Sequence, residues 1–144
     1  MSVERTIANF LRIAQEDLNG ARLLAGARNR YAAYLAQQAA EKVIRAVLTS
    51  EGTHAGVRHD LREMVAMVPD ENPTKALLKA TVGLAAYATA YRYPGTARIP
   101  PSPGAAAVED HLSDVQRALD AVSAGLGLDL EIPDSVATRP QPMR

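Results

Sequence analysis

Three short stretches gather side chains that could do chemistry. QQAAEK (37–42), with Arg45 one turn further on, combines two amides, a carboxylate and two cations. Glu41 and Arg45 are four apart in the order that favours an ion pair along a helix, and Gln38 and Lys42 share that spacing. Such a strip either lines a groove for a polar ligand or forms a solvated seam held by its own pairs. RHDL (58–61) stands at a helix start. In the plain reading Asp60 caps the helix and His59 packs beside it. The same position offers free N–H groups and a partial positive charge, which together hold phosphate. YRYP (91–94) stands at a helix end. Arg92 is favoured there on electrostatic grounds alone. An arginine flanked by Tyr91 and Tyr93 also stacks on bases and grips phosphates.

Other chemistries lack their residues. There is no cysteine, so disulfides, thiolate zinc sites and cysteine nucleophiles are excluded. His54, His59 and His111 are not spaced as metal ligands on a helix, and no metal or cofactor is expected. GTHAG (52–56) lacks the Lys-Ser/Thr of a phosphate loop, and no serine stands in a nucleophile elbow. Sixteen basic and sixteen acidic residues cancel, so no global field draws in nucleic acid.

The elements that must position these residues read as helices. The chain of 144 residues favours one domain. Its apolar fraction of 47% leans on alanine, with one Phe and no Trp, and its β-branched residues do not alternate. A first helix spans 3–25, with Ile7, Phe10, Leu11, Ala14, Leu18, Ala21 and Ala25 on one face and Gly26 as its stop. A second spans 30–50. Ala32, Leu35, Ala39, Val43 and Ala46 make one apolar stripe, and Ala33, Ile44 and Leu48 make another nearly opposite. Tyr31, Tyr34, Gln38, Lys42 and Arg45 line a seam between them. A helix apolar on two sides is expected to be buried on two sides, inside a bundle or against a second protomer.

A short third helix follows Asp60, with Leu61, Met64, Val65 and Val68 inward and Asp60–Glu63 as a capping box. A fourth is expected over about 73–91, entered through Asn72 and Pro73, with Gly83 permitting close approach of a neighbour. After a proline-rich loop, Ser102 and Pro103 cap a fifth over about 103–124, carrying Val108, Leu112, Val115, Leu119 and Val122. The expected fold is an all-α, antiparallel four- to five-helix bundle over 1–125. Residues 126–144 read as a largely disordered tail. The opening MSVERTIANF is charged rather than a signal peptide, and no apolar run approaches the ~20 residues of a membrane span. No membrane association and a cytoplasmic location are expected.

In order, DLNGARLL, YLAQQAAEKVIRAVL, RHDLREMV and LAAYATAYRYPG resemble the HEPN domain over about residues 5–122. The most specific pieces are QQAAEK, the HDL of the third helix, and Tyr87 followed by Tyr91-Arg92-Tyr93-Pro94. The resemblance implies a helical bundle that pairs into a homodimer and is linked to nucleotides and RNA. It also implies a minimal nucleotidyltransferase as partner, the two forming a toxin–antitoxin pair. Catalytic members of the family are metal-independent ribonucleases that carry an Arg and a His four to six residues apart. No such pair occurs here: Arg45 and His54 are too far apart, Arg58 and His59 are adjacent, and Arg98 is far from His111. The resemblance therefore implies a non-catalytic module that binds a nucleotide, RNA or a nucleotidyltransferase. Its binding residues would be Gln38, Glu41, Lys42, Arg45, His59, Asp60, Arg92 and Tyr93. The alternatives are a ribonuclease toxin with an unconventional His59–Arg92 site and a structural dimerisation scaffold.

Overall fold

The apolar residues of segment 31–50 fall on two sides of a helix, and in the computed structural model of the protein both sides are covered. The structure describes residues 2–57, 60–87, 95–96, 98–99, 101 and 103–138. Among these are five α-helices, one 3-10 segment and no strand. The helices are α1 (Val3–Gly26), α2 (Tyr31–Ser50), α3 (Leu61–Met67), α4 (Lys75–Lys79) and α5 (Ala105–Gly125), with the 3-10 segment (Val82–Tyr87) between the last two. α2 touches α1, α3, the 3-10 segment and α5, which makes it the inner rod. Ala32, Ala39, Val43 and Ala46 of one stripe are buried, and so are Ala33, Ile44 and Leu48 of the other.

α1 and α2 pack as an antiparallel pair. Ser2 Oγ caps α1 by accepting from the Arg5 N–H at 3.1 Å. Of the predicted stripe, Ile7, Leu11, Ala14, Leu18 and Ala21 are fully buried, and Phe10 and Ala25 are half-buried. A Cβ built on Gly20 would lie 3.2 Å from Leu35 Cδ1, so glycine lets the two helices close here. At Gly83, where close approach was expected, a Cβ would meet only His111 Cε1 at an ordinary 3.5 Å.

α1 ends at Gly26 with Ala27 as its C-cap, but Gly26 is not the left-handed residue that closes the helix. Asn29 N–H donates to Leu24 O at 2.8 Å and Arg28 N–H to Ala25 O at 3.0 Å, the paired bonds of a Schellman ending. That motif needs a left-handed residue after the cap, and Arg28 supplies it with φ 56°. An L side chain in that region costs roughly 1–2 kcal/mol, which is why glycine usually stands there.

Three further expectations change. The fourth helix, predicted over 73–91, is α4 followed by a turn and the 3-10 segment. Buried Thr81 donates both its N–H (3.1 Å) and its Oγ1 (2.7 Å) to Leu78 O, tightening the turn, and Gly83 weakens continuation. Asn72 does not cap α4 directly; its Oδ1 accepts from the Thr74 N–H and hydroxyl, one step earlier. Positions 88–91 of the predicted helix lie outside the described residues. α5 begins at Ala105 with Gly104 at the N-cap and no side-chain cap bond, while Ser102 lies outside the described residues. Its five spaced apolar residues are all buried, as read.

Third, 126–138 is not a loose tail. Leu126, Leu128 and Ala137 are buried, the Arg12 guanidinium donates to Ile132 O and Ser135 O, and Ala137 N–H reaches Glu4 O at 3.4 Å. The segment straps the bundle by alternate leucines and one arginine hub, neither of which carries a helical period. Residues 139–144 of the expected tail lie outside the described residues.

The α3–α4 connection is held by Lys75, whose Nζ donates to Val68 O and to Asp70 Oδ1 at 2.8 Å. The hydrogen bond from Lys75, and then its charge, hold the Asp70 carboxyl below its ordinary value of 3.8. A depressed carboxyl contributes stability above its unfolded value and loses it as pH falls through the folded one. In Lys75→Met the Asp70 carboxyl, followed by NMR titration, is expected to rise toward 3.8, and its share of the acid-side loss of stability disappears, because folded and unfolded chains then bind the proton alike. An unchanged titration would contradict this anchor.

Candidate functional site

Helix periodicity places Gln38, Glu41, Lys42 and Arg45 on one flank of α2, and burial of both apolar stripes fixes which way that flank faces. None of these four side chains stands out in solvent: Glu41 is buried and the others are half-buried. Lys42 Nζ meets Asp17 Oδ2 of α1 at 2.6 Å. Arg45 Nε reaches Glu41 Oε2 at 3.4 Å, the predicted i,i+4 pair. The Arg45 guanidinium also donates to Gly56 O at 3.4 Å, tying α2 to the loop that leads to α3. The charges of Asp17, Glu41, Lys42 and Arg45 therefore cancel within the strip.

Gln38 does not pair with Lys42 as its spacing suggested. Its Nε2 donates to Gln37 Oε1 at 2.8 Å. Gln37, left out of the predicted set, is fully buried, and its own amide nitrogen has no hydrogen-bond partner. Asp17 was also missed. It lies on another helix, so no spacing rule along the chain links it to Lys42. Above the strip, at the start of α2, the rings of Tyr31 and Tyr34 lie 6.0 Å apart and tilted by 39°.

Asp60 is the N-cap of α3; its Oδ1 accepts from the Arg62 N–H at 2.8 Å, as the plain reading had it. His59, Arg92 and Tyr93 lie outside the described residues. Of the eight predicted binding residues, the structure thus brings four together on α2 and commits Asp60 to a cap. His111 is half-buried with its ring edge-on to Tyr87, centroids 6.1 Å apart. Among the described residues no group of three or more His, Asp or Glu side chains stands close enough to hold a metal ion, and no helix is long and apolar enough to cross a membrane.

A family model described as the HEPN domain matches residues 7–125, most of the chain. The fold is also similar to the crystal structure of an archaeal HEPN homologue, with a TM-score of 0.62 and 20% sequence identity over 82% of this chain and 95% of that one. No curated protein matches the sequence. The match spans α1 to α5, the same helices that bury the polar strip of α2, and the chain belongs to the HEPN domain family.

Proposed function

We propose that the protein is a non-catalytic HEPN module that docks a protein partner along the α1–α2 flank, the partner being a minimal nucleotidyltransferase. The observation that carries this is the pairing of both strip cations: Lys42 with Asp17 and Arg45 with Glu41. A phosphate-binding groove needs cations that meet the ligand with their charge uncommitted. A neutral flank of half-buried polar groups, with Tyr31 42% and Ile13 45% exposed nearby in sequence on α2 and α1, resembles a protein interface more than a phosphate cradle. The nucleotidyltransferase comes from the family resemblance, which links such modules in toxin–antitoxin pairs. The missing Arg–His spacing supports a binding role over RNA cleavage. A second copy of the chain is the other protein that such a flank could accept.

The premise is checked by a double-mutant cycle. Lys42→Met and Asp17→Asn are each expected to destabilise, with a coupling energy of about 1 kcal/mol in urea unfolding, as for a half-buried pair. Zero coupling would mean that Lys42 is uncommitted, and would favour direct phosphate binding instead.

The function is checked by affinity purification of the tagged protein from its native host, with mass spectrometry of what comes with it. A stoichiometric nucleotidyltransferase is expected, and Gln38→Arg should weaken its capture by about tenfold while circular dichroism stays unchanged. Recovery of RNA in place of a protein, or only of the chain itself, would overturn the reading. RNA cleavage by the pure protein, abolished in His59→Ala, would replace it with the ribonuclease alternative.

A further inference from the structure

Residues 126–138 send side chains both inward and outward. Leu126, Leu128 and Ala137 are buried, while Ile132 is 53% and Val136 37% exposed. The Ala137 N–H bond to Glu4 O brings this part of the strap to the first turn of α1, where Val3 is 41% exposed. A single exposed aliphatic side chain needs no explanation. These three belong to one turn and to the helix start it is bonded to, which calls for one.

That turn is clamped. Ser135 N–H donates to Ile132 O at 3.1 Å, with Pro133 at the position whose φ a proline presets. The half-buried Arg12 guanidinium donates to Ile132 O and Ser135 O, the carbonyls at the two ends of the turn. Asp129 N–H donates to Ser135 Oγ at 3.2 Å and ties the turn to the segment before it. The charge on the strap has one sign. From 118 to 138 the chain carries Asp120, Asp129, Glu131 and Asp134 and no basic residue. Asp129, Glu131 and Asp134 are exposed, and among the described residues none of the three forms an ion pair. Of the two cations on the adjoining part of α1, Arg12 is taken up by the strap carbonyls and Arg5 is exposed.

We propose that the clamped turn Ile132–Ser135 is a docking knob for a protein partner whose aliphatic pocket is rimmed by Lys or Arg. Ile132 and Val136 enter the pocket, and Glu131 and Asp134 meet the rim. The turn is ordered before it binds, so little conformational entropy is lost on docking. Its carboxylates repel nucleic acid and anionic lipid alike. The contact uses none of the residues of the α2 flank and does not rest on the partner proposed there.

The test places the photo-crosslinking residue benzoylphenylalanine at position 136 of the full chain in its native host. The same probe at exposed Ala66 of α3 is the control. Mass spectrometry identifies the cross-linked peptide, and the protein that contains it is purified and titrated with the chain by calorimetry. One protein is expected from position 136 and not from 66, with Lys or Arg within a few residues of the cross-link. Ile132→Asp and Asp134→Lys should each weaken its affinity about tenfold at unchanged circular dichroism, and added salt should weaken the wild type. Arg12→Met should weaken it several-fold and speed amide exchange of Ser135 and Ala137. The cross-link should survive Gln38→Arg, which separates this contact from the α2 flank. No cross-link, cross-links only to nucleic acid, lipid or a second copy of the chain, the same cross-links from both probe positions, or full affinity in a folded Ile132→Asp variant would each overturn the proposal.

Discussion

The structure depends on one helix being covered from several directions at once. α2 meets α1, α3, α5 and the 3-10 segment, and its two apolar stripes are buried apart from the half-buried Leu35. This constraint explains the composition. Alanine lets neighbouring helices come close, and Gly20 opposite Leu35 allows the α1–α2 contact to close further. It also explains why the polar groups of α2 are few and paired. A half-buried cation needs a carboxylate within reach, and Asp17 and Glu41 provide one each. The buried amide of Gln37 is the exception, with a nitrogen left without a partner.

That arrangement gives the molecule two surfaces of different character. Along the flank of α2, charge is cancelled internally, which suits a protein partner. Around the hairpin tip, residues 18–40 carry three arginines and no acidic residue in sequence, and Arg28 occupies a left-handed position. A net charge of zero conceals this division, because acidic residues elsewhere in the chain offset the arginines of the tip. The strap formed by 126–138 lies along the N-terminal half of α1, where Arg12 holds two of its carbonyls and Glu4 O accepts from Ala137.

Periodic features were legible from residues alone. The buried faces of α1, α2, α3 and α5 follow from spacings of three and four, and the Asp60 cap follows from residue type and place. Features without a period were not. The Lys42–Asp17 pair joins residues that only the fold brings together. Arg28 gives no sign in its type that it ends a helix, since glycine two residues earlier is the stronger stop signal. The fourth helix breaks because a threonine hydroxyl competes for a carbonyl, a tertiary choice made where Thr81 is buried. The strap was not legible because prolines and a missing helical repeat also describe a segment that docks as a series of turns.

The central claim is that α2 is the inner rod on which the other elements assemble. Amide hydrogen exchange tests it most directly. The amides of residues 36–48 are expected to exchange together and slowest, through global unfolding only, while α3, α4 and the strap open earlier. Exchange of 36–48 through local opening, ahead of α1 and α5, would contradict the account.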